Sequence, residues 1–108
     1  MAGLVLCTLT LSACEDPNLG RAVGAENHTD SVLTFGAIVD GEILPISGRA
    51  EPGEAVTILG GLRFSEYSVI TDGDCTKVDL VALDPNGREV ARHPPPLCLD
   101  EVWVIEGD

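Results

Sequence analysis

The sequence predicts an all-β fold, a small antiparallel β-sandwich, on three observations. β-branched runs recur at intervals of roughly 8 to 15 residues, turn residues separate them, and no apolar stripe of helical period interrupts the series. Leu, Ile, Val and Phe make up about 30% of the chain, enough to fold despite 22% charged residues.

Residues 31–39 place Leu33, Phe35, Ala37 and Val39 on one face and Val32, Thr34, Gly36 and Ile38 on the other, the period of a strand. Asp40-Gly41 follows directly. Both central residues of a type I′ turn need positive φ, so this dipeptide predicts a hairpin into a second strand over 42–47. Pro45 cannot donate to a ladder, which assigns that strand to an edge or a bulge. Pro52-Gly53 turns the chain into a third strand over 54–59, where Val56 and Ile58 share a face, and Gly60-Gly61 ends it. Another strand is expected over 67–71, before the turn at Asp72-Gly73-Asp74.

The run 78–83 is almost continuously apolar and is expected at the centre of a sheet. Asp84-Pro85-Asn86-Gly87 then turns it into a strand over 88–92, with Pro85 presetting φ at the second turn position. Three prolines, 94–96, make a stiff crossing to a last strand over 101–105. About six or seven short strands with little helix fit a sandwich of immunoglobulin-like or related Greek-key form. Trp103, with Val102, Val104 and Ile105, is expected to fill the core between the sheets, as are Phe35 and Tyr67.

Charge narrows the classes of partner. Against 18 acidic side chains stand 6 basic ones, a formal charge of −12, and the basic residues are scattered. Such a surface repels phosphate, so the composition excludes nucleic acid as a partner.

Residues 1–13 carry no charge and are too short for a membrane-spanning helix, which needs about 20 apolar residues, but they have the length of a signal-peptide apolar region. The run ends in Leu11-Ser12-Ala13-Cys14 and turns acidic at Glu15 and Asp16. This resembles the lipobox of bacterial lipoprotein signal peptides. The resemblance implies a diacylglyceryl group on the Cys14 thiol and cleavage just before it, with residues 1–13 as the signal. Such signals open with Lys or Arg and run longer, and none of these residues precedes Cys14, so either translation starts upstream of Met1 or the sequence is truncated there. By overall plan the chain is similar to small bacterial envelope lipoproteins of actinobacterial type, whose members often have no assigned activity. It would be anchored to the outer face of a membrane through Cys14, dual acylation being the condition for stable anchoring.

Residues 14–30 contain Pro17, Gly20 and Gly24 without apolar periodicity and read as a flexible tether to a β-sandwich domain over 31–108. Asn27-His28-Thr29 fits an N-glycosylation acceptor by pattern, but a bacterial envelope argues against that use, and the segment reads as polar residues leading into a strand. A domain of this size buries little more than about 60% of its unfolded surface, and small exported domains add a covalent staple. Cys75 and Cys98 supply it. A ladder registered on Asp84 facing Gly87 puts Cys75 opposite Pro96, two residues short of Cys98, which is near enough for a bridge. Closing the loop between them should contribute about 3 kcal/mol.

For catalysis the sequence offers little. His28 and His93 are the available imidazole bases, one in the presumed tether and one just before three prolines. Carboxylate pairs such as Glu51 with Glu54 or Asp72 with Asp74 fall in turns, and Asp72-Gly73-Asp74 lacks the full calcium-loop pattern. No catalytic residue, metal ligand or cofactor is assigned. The expected function is a non-enzymatic binding or interaction module whose partner is an envelope protein or glycan. The alternatives are a passive structural lipoprotein and a small secreted hydrolase using a carboxylate pair.

Overall fold

The computed structural model of the chain describes residues 21–60 and 68–107. The expectations for residues 1–13, for Cys14, for tether residues 14–20 and for Tyr67 fall outside them. Nine strands are described: β1 (Ala22–His28), β2 (Leu33–Val39), β3 (Glu42–Ala50), β4 (Ala55–Gly60), β5 (Thr71–Asp72), β6 (Cys75–Thr76), β7 (Leu80–Leu83), β8 (Glu89–His93) and β9 (Val102–Glu106). No helix occurs among the described residues. One sheet has the order β9-β1-β4 and the other β3-β2-β7-β8, with β5 and β6 forming a small separate ribbon. Every pairing but one is antiparallel; β9 runs parallel to β1.

Period-two alternation decides what faces inward. Leu33, Phe35 and Ala37 of β2 are buried, while Thr34 is exposed. Against them come Val23 and Ala25 of β1, Ile58 of β4, and Trp103 and Ile105 of β9, closing the core between the two sheets. The Phe35 and Trp103 rings meet edge to face with centroids 6.2 Å apart. Leu80, Val81 and Ala82 are each fully buried, as a strand flanked by β2 and β8 requires.

Turn chemistry sets the connections. Asp40 and Gly41 have φ of 54° and 81°, the two positive values of a type I′ turn, and Val39 faces Glu42 across it. β3 lies at the sheet edge, where Pro45 forfeits no ladder bond to a further strand. It outruns the expected 42–47 and continues to Ala50 through a bulge: Thr34 faces Arg49, but Phe35 faces Ile46. Within the bulge the Ser47 hydroxyl donates to the Ile58 carbonyl at 3.0 Å, tying β3 to β4 and thus one sheet to the other. Gly48 makes this possible at φ 101°, where a Cβ would stand 3.0 Å from both Ile58 Cγ2 and the Thr57 carbonyl oxygen. Gly48→Ala is therefore expected to cost about 2 kcal/mol, read as a lower urea midpoint at unchanged slope.

Two expectations are corrected. The span 14–30 is not a tether throughout, since Ala22–His28 is a strand with both neighbours paired and Val23, Ala25 and Asn27 buried. Its alternation escapes a hydrophobicity pattern because the buried positions are Val, Ala and Asn and the others include Ala and Gly. Of the strand expected over 67–71, residues 68–70 form a turn instead, and the described strand is the two residues Thr71–Asp72, which pair with Cys75–Thr76 across the Gly73 turn.

Candidate functional site

The Cys75–Cys98 disulfide is formed, at a sequence separation of 23. The two-residue deficit of the simple register is made up inside the hairpin. The Asp84 N–H donates to the Arg88 carbonyl at 2.9 Å, so the ladder starts one residue beyond Gly87. A bulge between Ala82 and Leu83 supplies the second residue, after which Leu80 faces His93 and Cys75 falls directly opposite Cys98. The Thr76 N–H donates to the Leu97 carbonyl at 2.9 Å and the Leu97 N–H to Thr76 Oγ1 at 2.9 Å, so two hydrogen bonds hold the chains together beside the bridge.

Asp84 holds that turn. Its nearly buried carboxylate accepts from the backbone N–H of Asn86 at 2.9 Å and of Arg88 at 3.0 Å, and from the Arg88 guanidinium at 3.2 and 3.1 Å. These bonds, the Arg88 backbone N–H foremost, hold its carboxyl below the usual aspartate range against the opposing effect of desolvation. A depressed folded value stabilises the protein above the unfolded value of about 4 and loses that contribution as pH falls through the folded one. Asp84→Asn should accordingly unfold at lower temperature than the wild type at neutral pH, with the gap closing below about pH 4 in a series of thermal melts.

The arginines at 21, 49, 88 and 92 each contact a carboxylate, on Asp100, Glu51, Asp84, and Glu89 with Asp79 respectively. Arg92 forks onto both Glu89 oxygens at 2.8 and 2.7 Å, which holds the Glu89 carboxyl below its usual range. The charge of these four arginines is thus spent within the molecule, while Lys77 is exposed.

Both histidines and the Glu51–Glu54 pair have structural partners. His93 ends β8, its ring 5.6 Å from that of Trp103 and its Nδ1 2.7 Å from the Pro94 carbonyl oxygen, to which it donates. His28 ends β1, with Nε2 3.1 Å from Glu26 and Nδ1 3.6 Å from Glu106 of β9. Glu54 accepts from the Glu51 N–H at 2.8 Å, and Glu51 itself pairs with Arg49. Among the described residues no three His, Cys, Asp or Glu side chains converge as a metal site. Trp103, 7% exposed, lies in the core as expected.

Asn27 is the polar centre that sequence reasoning missed. Fully buried, it donates from Nδ2 to the carbonyls of Ser31 at 2.7 Å and Ala50 at 2.9 Å, while Oδ1 accepts from the N–H and hydroxyl of Thr29 at 2.8 and 2.7 Å. Its backbone binds Glu54 and Gly53 across the 51–54 turn. With both amide hydrogens committed inside the fold, the Asn27-His28-Thr29 sequon has no free amide nitrogen in the folded state.

Among the described residues, three exposed large apolar side chains gather at the β2–β3 end. Val39, Ile43, Leu44 and Val69 line a shallow depression of about 430 Å³ rimmed by Asp40 and Glu42. Ile43, Leu44 and Val69 are 44%, 41% and 54% exposed. Val102 and Val104 project in the same way from the outer face of β9, the edge strand of its sheet. Neither patch stands out in the sequence, because apolar residues on a strand read alike whether a second layer covers them or not. No protein-family model, no curated protein and no solved structure matches the chain.

Proposed function

We propose that the protein is a membrane-anchored extracytoplasmic lipoprotein whose β-sandwich acts as a non-enzymatic binding module for an envelope protein or glycan. The reading rests chiefly on the lipobox resemblance of Leu11-Ser12-Ala13-Cys14 at the end of an uncharged apolar run. The disulfide adds support, since such bonds persist where the surroundings are oxidising. The non-enzymatic part draws on the histidines, each engaged with structural neighbours, and the binding part on the exposed apolar residues at the β2–β3 end and on β9.

Cys14→Ser tests the anchor. The wild type is expected in the membrane fraction and labelled by fatty acid, and the variant unlabelled and released from that fraction by the loss of both acyl chains. Retention of the variant in the membrane to the wild-type extent would contradict the proposal. For the binding module, cross-linking of the anchored protein in its own envelope should yield a defined adduct that Ile43→Glu with Leu44→Glu removes. Absence of any adduct above background would count against an interaction role.

A further inference from the structure

We infer that Asn86 is a latent site of self-modification, a deamidation that the Asp84 turn holds in check. Asn86-Gly87 sits exposed at the tip of the β7–β8 hairpin, and it is the only Asn-Gly pair in the chain. In such a pair the backbone nitrogen of the glycine reaches the asparagine Cγ with no side chain in the way. The Gly87 nitrogen gives up its proton to solvent base and bonds to Cγ of Asn86. The Cγ–Nδ2 bond breaks and ammonia leaves with a solvent proton, closing a five-membered imide. Water then adds to either imide carbonyl and opens the ring, leaving aspartate or isoaspartate at position 86 with no change of oxidation state.

The folded turn opposes the first step. The Gly87 N–H is already donated to the Asp84 carbonyl at 2.9 Å. The peptide groups on both sides are pinned to one carboxylate oxygen, Asn86 N and Arg88 N lying 2.9 and 3.0 Å from Asp84 Oδ1. Ring closure needs the Asn86–Gly87 peptide to rotate out of this arrangement, so the native rate is the unfolded rate scaled by the fraction of time the turn is open. Asn27 differs in both respects, being followed by His28 and having its amide buried on two carbonyls. The modification carries a structural consequence: isoaspartate lengthens the backbone by one carbon inside the turn whose register brings Cys75 opposite Cys98.

The test is peptide mapping for isoaspartate at position 86 after incubation in mildly alkaline buffer. Samples are the native wild type, the reduced wild type in denaturant, and native Asp84→Ala. The native wild type should react slower than the denatured chain by about tenfold or more, with Asp84→Ala between them. Amide hydrogen exchange at Gly87 in the wild type gives the open fraction independently of any variant, and it should match the ratio of native to denatured rates. Equal native and denatured rates, no product at 86 in the denatured chain, or a folded Asp84→Ala reacting at the wild-type rate would each overturn the inference.

Discussion

Asn27→Asp is expected to cost about 4 kcal/mol at neutral pH, most of the stability that a domain this small carries. The substitution barely alters shape. It replaces the two N–H donors with an oxygen aimed at the Ser31 and Ala50 carbonyls, which lie 2.7 and 2.9 Å from Nδ2 in the wild type. Two buried acceptors lose their partners and a buried negative charge faces them. Protonating the new carboxyl relieves part of this, since its O–H again donates to one carbonyl. The variant's folded carboxyl is thereby raised above its unfolded value, so its deficit relative to wild type should shrink as pH falls and grow as pH rises. Paired urea titrations at neutral and acid pH measure both effects. A loss of under about 1 kcal/mol at neutral pH would show that the Asn27 network does not hold β1 to the 29–31 and 51–54 turns.

Breaking the Cys75–Cys98 bond is expected to cost about 3 kcal/mol, the chain-entropy value for a loop of 23 residues. Loss should appear equally in Cys75→Ser, in Cys98→Ser and in the reduced wild type, because the three share an unconstrained unfolded state. The ladder around the bridge survives in each, since Thr76 and Leu97 remain hydrogen bonded through N–H, carbonyl and hydroxyl. Thermal melts with and without reductant give the comparison. An unchanged midpoint in the reduced wild type would mean that the bridge constrains little.

Much of the fold is legible residue by residue, for local reasons. The β2–β3 hairpin follows from Asp40-Gly41 because a two-residue turn with two positive φ values has few chemical solutions. The central place of β7 follows from uninterrupted burial at Leu80, Val81 and Ala82. What escaped is non-local or small. β1 is built on Ala, Val, Gly and a buried Asn, and its parallel pairing with β9 joins segments from the two ends of the described chain, which no short-range pattern encodes. The disulfide was readable as a pair but not as a register, because one bulge and one extra turn residue are needed to align it.

The candidate site was less legible still. The anchor proposed at Cys14 rests on a sequence motif outside the described residues, whereas the exposed Ile43, Leu44 and Val69 emerge only once it is known which strand faces remain uncovered.

The most direct test of the account is the intact mass of the protein extracted from the membranes of its native host, measured with and without reductant. The account predicts a chain that lacks residues 1–13, carries a diacylglyceryl group on Cys14, and gains two hydrogens on reduction as Cys75 and Cys98 separate. An unprocessed chain without lipid would contradict it, and the envelope localisation, the anchor and the search for an envelope partner would fall together.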